Sequence, residues 1–204
     1  MRGLYAITPD VSSTEELERL VGQALEGGIA LLQYRNKVAD APLRREQAGM
    51  LLRMTRTKRV PLIVNDDVAL AAAIDADGAH VGRDDGEVAA ARRALPGKLL
   101  GASCYASLEA AETAVREGAD HVAFGSVFAS STKPGAGRAP LDLFARARGL
   151  GVPLVAIGGI TIGNASGVIA AGADCVAVIA DVFGAPDIAG RAAAYRRLFD
   201  KGPA

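Results

Sequence analysis

Short apolar runs and amphipathic segments alternate eight times along this chain of 204 residues. The runs are rich in Val, Ile and Leu and lack polar alternation, which is typical of parallel strands buried on both faces. We predict eight strands, at residues 3–8, 29–34, 62–65, 79–81, 99–103, 121–124, 154–157 and 175–179. A unit of about 25 residues that recurs in this way predicts an α/β fold, a single (β/α)8 TIM barrel over residues 1–204.

The segments between the runs carry apolar residues at helical spacing. In the first of them, Ser13 or Thr14 can cap the start of a helix and Gly27 and Gly28 end it. Its apolar positions between residues 17 and 25 fall on one face. We predict further helices at residues 42–57, 68–74, 86–95, 108–117, 141–148, 164–171 and 187–199.

A weak internal repeat supports the barrel. Similar triplets precede the even-numbered strands: Gly28-Ile29-Ala30, Gly78-Ala79-His80, Gly118-Ala119-Asp120 and Gly172-Ala173-Asp174. A period of two units is expected when alternate strands supply alternate layers of a barrel interior. An open doubly wound sheet gives no reason for such a period.

Composition excludes several classes of partner. The 23 basic and 23 acidic residues cancel, so neither nucleic acid nor an anionic membrane is expected as the main partner. No apolar run approaches the roughly 20 residues that cross a bilayer. Because the N-terminus enters a strand at once, no secretory signal is expected, and we predict a cytoplasmic protein. Cys104 and Cys175 carry no metal-ligand spacing and are interpreted as buried apolar residues.

Polar side chains gather where the predicted strands end, which is the edge where parallel α/β folds bind ligands. Gln33, Arg35 and Lys37 follow strand 2 with a period of two, so an extended segment would point them the same way. An amide and two cations that converge suit a polyphosphate attached to a polar ring. The alternative is a basic strand tip exposed to solvent.

Carboxylates follow the next two strands. Asn65 and Asp66 end strand 3, and Asp84 and Asp85 follow strand 4. Mg²⁺ prefers one or two carboxylates together with water and substrate phosphates, so Asp66 with Asp85 predicts a magnesium site. Helix capping is the better interpretation of Asp67 and Asp84, because Asp is favoured at helix starts.

The remaining strand ends predict anion sites and little acid–base machinery. A loop with hydroxyls, glycines and Lys133 follows strand 6. Glycines follow strand 7, and in such barrels the loops after strands 7 and 8 bind a monophosphate. Ser103 has no partners that suggest a nucleophile, and His80 and His121 are predicted to lie in the barrel core. The pattern fits ionisation of a diphosphate leaving group and its replacement by a second, phosphorylated substrate.

Together these motifs resemble the thiamine-phosphate synthase family over nearly the whole chain, from Gly3 to Ile179. The resemblance rests on residues 33–37, 65–66, 78–85, 101–103, 132–133 and 158–161. It implies a reaction between hydroxymethylpyrimidine diphosphate and a thiazole phosphate, with or without a carboxylate on the thiazole. The products would be thiamine phosphate and diphosphate, and the assembly a homodimer.

The same resemblance implies roles for individual residues. The residues that would hold the pyrimidine diphosphate are Gln33, Arg35, Lys37, Asn65, Ser103 and Lys133, of which Arg35, Lys37, Ser103 and Lys133 would act in catalysis. Asp66 and Asp85 would hold Mg²⁺. The thiazole phosphate site would be lined by Ser130, Thr132, Gly159, Ile179 and Ala180. Ala180 departs from the family pattern, in which Ser is usual, so one side-chain contact to that phosphate is expected to be missing.

Three alternatives remain open at this stage. A thiazole tautomerase-like relative would use the same barrel and phosphate corner without needing Asp66, Asp85 and Lys133 together. A phosphosugar isomerase or epimerase would need a base at a strand end, for which His80 and Asp66 are the candidates. A non-catalytic barrel that binds thiamine precursors would bind the same small molecules without turnover.

Overall fold

A computed structural model describes residues 1–82, 86–129 and 137–200 of the chain. Its strands are all parallel and close into a barrel in the order β1-β2-β3-β4-β5-β6-β7-β8. The strands are β1 Gly3–Ile7, β2 Leu31–Tyr34, β3 Leu62–Asn65, β4 Gly78–Val81, β5 Leu99–Tyr105, β6 His121–Phe124, β7 Leu154–Ile157 and β8 Cys175–Val178. The predicted (β/α)8 TIM barrel is therefore confirmed. That residues 1–204 form one domain stays a prediction.

Helices connect the strands on the outside of the barrel. They are α1 Thr14–Gly27, α2 Ala41–Lys58, α3 Val68–Ala73, α4 Val88–Ala94, α5 Leu108–Arg116, α6 Asp142–Ala147, α7 Ala165–Ala170, α8 Ala180–Phe183 and α9 Ile188–Asp200. A 3₁₀ turn follows α6 at Arg148–Leu150. The sequence did not predict α8, because a single turn is too short to show a period. No helix in the described ranges is both long and apolar enough to cross a membrane.

The alternation of side chains along each strand separates apolar residues inside the barrel from those outside it. One cluster fills the barrel interior and includes Tyr5, Ile7, Leu31, Ile63, Ala123, Val155, Cys175 and Ala177. The largest cluster forms an outer core between the strands and the helices, and two smaller clusters lie against α3 and α4. Cys104 belongs to this outer core, so both cysteines are buried apolar residues, as predicted. The inner core leaves the carboxyl ends of the strands free for polar side chains.

The internal repeat has a structural basis, but its register differs from the prediction. An aspartate precedes β4, β6 and β8, and its Oδ2 accepts a backbone N–H at the start of the preceding odd strand. The pairs are Leu62 to Asp77, Leu100 to Asp120 and Leu154 to Asp174, each at 2.8 Å. The bonded N–H of Leu100 is the second of its strand, and those of the other two are the first.

The residues before each aspartate complete this repeat. Left-handed backbone occurs at Asp75, Gly118 and Gly172, with φ of 57°, 102° and 116°. The structural equivalent of Gly118-Ala119-Asp120 is therefore residues 75–77, and the predicted triplet beginning at Gly78 was wrong by three positions. The prediction looked for glycine at this turn, but an aspartate can also adopt the left-handed conformation, as Asp75 does.

Candidate active site

A cavity of about 760 Å³ opens at the carboxyl ends of the strands. Its wall brings together predicted site residues from strands 2, 3, 5, 7 and 8, namely Gln33, Arg35, Lys37, Asn65, Asp66, Ser103, Gly159, Ile179 and Ala180. These residues span the chain from position 33 to position 180, so only the barrel topology places them around one space. The structure brings these nine residues to one cavity, and their roles stay predictions.

The end of β2 supplies the amide and the two cations. Gln33 is buried, and its Nε2 donates to the hydroxyl of Tyr5 at 2.9 Å. Arg35 pairs with Asp10, since its Nη1 lies 3.0 Å from Oδ1. The same carboxylate oxygen accepts the backbone N–H of Lys37 at 2.8 Å. Asp10 therefore orients both cationic residues. It was missed in the sequence, although its place just after β1 matched the pattern of polar strand ends.

The loop after β2 is further tied to its neighbours. The Oγ1 of Thr8 accepts the backbone N–H of Arg35 at 2.9 Å and donates to the carbonyl of Arg35 at 2.8 Å. Asn36 points inward, where its Nδ2 donates to the carbonyl of Val11 at 2.6 Å and to Gln47 Oε1 at 2.9 Å. Asn36 thus braces the loop, while the side chains on either side of it line the cavity.

The carboxylates at the end of β3 have different tasks. Asp66 lines the cavity and adopts a left-handed backbone with φ of 63°, and its N–H donates to the carbonyl of His80 at 2.8 Å. Asp67 caps α3, because its Oδ1 accepts the N–H of Leu70 at 2.9 Å. Capping by Asp67 is thereby confirmed. Because of the left-handed turn at Asp66, the two consecutive aspartates lie in different places: Asp66 lines the cavity, and Asp67 caps α3.

The described residues fit a magnesium ion only as part of a larger ligand set. Within 1–82, 86–129 and 137–200, no group of three or more His, Cys, Asp or Glu side chains is placed to hold a metal. Mg²⁺ does not require one, since it commonly binds one or two carboxylates plus phosphate and water oxygens. Asp66, beside the amide of Asn65, offers such an oxygen. Asp84 and Asp85 lie outside the described residues.

A pair of histidines lies below the cavity. His80 Nε2 is 2.9 Å from the Oγ of Ser103, and the rings of His80 and His121 have centroids 5.7 Å apart. A side chain at Gly101 would overlap both rings, so the absence of a Cβ there makes room for the pair. The predicted core position of both histidines is confirmed, because His80 is 6% and His121 1% exposed. His80 also reaches the cavity wall, where it can orient the hydroxyl of Ser103.

His121 is held in its neutral form. Burial, with a smaller effect of the N-terminal ammonium, lowers its pKa from 6.5 to about 4. Neither ring nitrogen finds a hydrogen-bond partner among the described residues. A buried neutral imidazole of this kind is a poor proton acceptor near pH 7. His121 is therefore a structural residue.

This lowered pKa predicts a pH dependence of stability. Between pH 6.5 and pH 4 the unfolded state binds a proton at His121 that the folded state does not. The free energy of unfolding should therefore be highest above pH 6.5. It should decrease between pH 6.5 and pH 4 and level off below pH 4. Urea unfolding measures this free energy at pH 7.5 and at pH 4.5. Between these two pH values it should decrease by about 2 kcal/mol more in the wild type than in His121→Leu. An equal loss in both proteins would contradict the assignment.

Glycines form the opposite side of the cavity. Gly158 and Gly159 have left-handed backbones, with φ of 103° and 61°. A side chain at Gly158 would overlap Ser126, and one at Gly159 would overlap the carbonyl of Ala129. The residues after β6 therefore lie directly on the turn after β7. Gly158 and Gly159 also line the cavity and carry no side chains, so a phosphate could approach their backbone, as expected of a phosphate site.

The start of α8 completes the glycine-rich side and is braced by Asp181. Its Oδ2 accepts the N–H of Ile162 at 3.0 Å and the hydroxyl of Tyr195 at 2.8 Å, and its Oδ1 lies 2.7 Å from Nη1 of Arg191. Burial opposes ionisation of Asp181, but these hydrogen bonds outweigh it and lower the pKa of the carboxyl. No sequence pattern marks this network, because its members come from three separate elements.

Four predicted site residues lie outside the described residues: Ser130, Thr132 and Lys133, which follow β6 in the sequence, and Asp85, which follows β4. Their roles stay predictions. Both segments begin next to described residues of the cavity region, since Gly82 and Ala129 line its wall.

The chain is similar to proteins of one kind over almost its full length. Residues 4–182 match the family model described as thiamine monophosphate synthase. The thiamine-phosphate synthase of Aromatoleum aromaticum is 57% identical over 202 residues, with 98% of this chain and 97% of the relative covered. That of Methylobacillus flagellatus is 55% identical over 201 residues, with 98% and 96% covered. The solved thiamine phosphate pyrophosphorylase from Pyrococcus furiosus superimposes with a TM-score of 0.87 at 35% identity and covers 98% of this chain and 96% of its own.

Proposed function

The chain belongs to the thiamine monophosphate synthase family, and we propose that it condenses hydroxymethylpyrimidine diphosphate with a thiazole phosphate. The products are thiamine phosphate and diphosphate. The observation that carries the proposal is the single cavity that joins a cationic side, formed by Arg35 and Lys37, to a glycine-rich side at Gly158 and Gly159. Two substrates that each carry phosphate need two such anion sites within reach of one another.

The cationic side suits the pyrimidine diphosphate. Gln33 presents an amide to the polar ring, while Arg35 and Lys37 face the diphosphate. Asn65 and Ser103 add an amide and a hydroxyl at the ends of the neighbouring strands, and Lys133 is proposed to complete this site. Because Asp10 holds Arg35 in place before any substrate arrives, little ordering is needed on binding.

Mg²⁺ is the proposed cofactor, and Asp66 with Asp85 would hold it. When bound, it would supply positive charge against the oxygens of the leaving diphosphate. The support for this proposal is the orientation of Asp66 into the cavity beside the cationic residues, together with a donor set of the oxygen type that Mg²⁺ prefers.

The glycine-rich side suits the thiazole phosphate. Main-chain groups at Gly159, Ile179 and Ala180 would contact the phosphate, and Ser130 and Thr132 are proposed to contribute hydroxyls. Ala180 offers no side-chain hydroxyl, so this chain depends on backbone contacts there. Asp181, the residue after Ala180, fixes the start of α8 through its bonds to Ile162 and Arg191.

The reaction then depends on charge and position rather than on a strong base. The bond between the pyrimidine methylene carbon and the diphosphate oxygen breaks, and the electron pair leaves with the diphosphate. Arg35, Lys37 and Lys133 stabilise that charge, while the electron-rich aminopyrimidine shares the positive charge of the methylene. The thiazole nitrogen, fixed through its phosphate, forms the new carbon–nitrogen bond. No proton has to be removed from either reacting atom in this step.

The alternatives receive less support. An isomerase or epimerase would need a base near the reacting carbon. Of the two candidates, His80 is 6% exposed with its Nε2 2.9 Å from the Oγ of Ser103, and Asp66 is the proposed ligand of Mg²⁺. A tautomerase-like relative would have no use for Arg35, Lys37 and Asp66 around one part of the cavity. A cytoplasmic location and a homodimeric assembly stay predictions.

Product analysis tests the proposed function. The protein is mixed with Mg²⁺, the pyrimidine diphosphate and either the plain or the carboxylated thiazole phosphate. We expect one thiamine phosphate and one diphosphate per turnover with the correct thiazole, and neither product from one substrate alone. Binding of both substrates without diphosphate release would instead indicate a non-catalytic barrel, and diphosphate release without thiamine phosphate would indicate a hydrolase.

A further inference from the structure

A second cavity adjoins the first on its cationic side. It has a volume of about 570 Å³ and shares four wall residues with the catalytic cavity: Arg35, Lys37, Asn65 and Asp66. Its other walls include Tyr34 of β2 and Val64 of β3, together with Arg44, Asp67 and Leu70 at the starts of α2 and α3. An anion that leaves the cationic side of the catalytic cavity can therefore pass into this space along the side chains that first held it.

Arg44 is the feature of this cavity that the proposed reaction does not use. Its Nε is buried and has no hydrogen-bond partner among the described residues. Its guanidinium also makes no ion pair with any carboxylate in the described part of the chain, and the same holds for the ammonium of Lys37. A buried donor of this kind is costly unless an acceptor arrives.

The charges around Arg44 favour an anion as that acceptor. Arg44 lies close enough to the buried Tyr34 for its positive charge to act on the pKa of the phenol, which burial raises above its ordinary value. The nearby carboxylates are committed elsewhere: Asp40 caps α2, and Asp67 caps α3. Asp66 faces the shared wall, where it suits an anion that carries a divalent cation.

We propose that Arg44 and Lys37 form a second anion subsite, which takes inorganic diphosphate after it leaves the catalytic cavity. The guanidinium of Arg44 can donate two hydrogen bonds to phosphate oxygens, and Lys37 adds a point charge at the shared wall. The assignment to released diphosphate rests on the proposed function. The subsite itself rests on the cavity, on the buried Nε of Arg44 and on two cations that pair with no carboxylate among the described residues, and it can be tested separately.

Calorimetry with inorganic diphosphate and Mg²⁺ tests the subsite directly. We expect Arg44→Gln to weaken diphosphate binding about tenfold, because one charged, bidentate contact is lost. Arg45→Gln is the matched control, since Arg45 is exposed on the same helix and the change in charge is identical. It should alter the affinity less than twofold. Equal affinities in the wild type and Arg44→Gln, or equal losses in both variants, would overturn the subsite.

Steady-state kinetics distinguish an exit subsite from a substrate contact. In Arg44→Gln the inhibition constant of diphosphate should rise about tenfold while the KM for the pyrimidine diphosphate stays within twofold. An equal rise in KM would overturn the exit role. If the wild type binds diphosphate through Arg44 but forms no thiamine phosphate, the proposed function fails while the subsite stands. Arg44→Lys, which keeps the charge, should retain part of the affinity and serves as the test if Arg44→Gln does not fold.

Discussion

Replacing Asp66 by Asn is expected to lower kcat at least about 100-fold, as the loss of one contact to developing charge typically does. The carboxylate is the proposed ligand of Mg²⁺ at the end of β3, and an amide is a much weaker ligand for this hard cation. The substitution should leave the backbone intact, because Asn also tolerates the left-handed conformation found at Asp66, with φ of 63°. The effect should therefore appear in catalysis and in the Mg²⁺ concentration needed for half-maximal rate, with little change in Tm.

The neighbouring aspartate provides the matched control for this experiment. Asp67→Asn makes the same chemical change one residue away, and Asn caps a helix about as well as Asp. We expect its rate to stay within a few-fold of the wild type, since Asp67 bonds to the N–H of Leu70. Comparable rates for Asp66→Asn and the wild type at limiting Mg²⁺ would show that Asp66 is not a metal ligand.

Arg35→Ala should have an effect of similar size, a loss of about 100-fold or more in kcat/KM. Arg35 lines the catalytic cavity and is only partly exposed, so its charge acts on the leaving diphosphate with limited screening by water. The variant also leaves Asp10 without its cationic partner, and an unpaired carboxylate near the diphosphate would repel it. Initial rates over a range of pyrimidine diphosphate concentrations measure the loss.

Two further variants separate charge from geometry at this position. Arg35→Lys keeps the charge but cannot reproduce the guanidinium pairing with Asp10, so an intermediate rate is expected. Arg19→Ala removes an arginine whose pairing with Glu16 is exposed on α1, and it should leave the rate unchanged. A rate for Arg35→Ala close to that of Arg19→Ala would exclude Arg35 from the catalytic machinery.

Much of the barrel could be predicted because each parallel strand is buried on both faces. The bounds of β3, β6 and β7 agree with the prediction to the residue, since proline, glycine or charged residues flank these runs. The register of the internal repeat was harder to predict from the sequence. Asp77 is equivalent to Asp120 and Asp174 through its bond to a backbone N–H on the neighbouring strand, and that partner lies 15 residues away in the sequence.

The site was predictable to the extent that its side chains follow strands directly. Gln33, Asn65 and Ser103 are strand residues, so the barrel alone brings them to one cavity. Asp10 and Asp181 escaped notice because they support other groups, and such a role appears only when the chain is folded. Arg44 escaped because it lies within a helix and because nothing in its local sequence marks a buried donor.

The proposed reaction depends on one ion shared by Asp66 and Asp85 and on a diphosphate held among Arg35, Lys37 and Lys133. A crystal structure with Mg²⁺ and a nonreactive analogue of the pyrimidine diphosphate tests this most directly. We expect an ion about 2.1 Å from a carboxylate oxygen of each aspartate, and the diphosphate of the analogue in contact with all three cations. An ion bound elsewhere, or a diphosphate seated at Gly158 and Gly159, would contradict it.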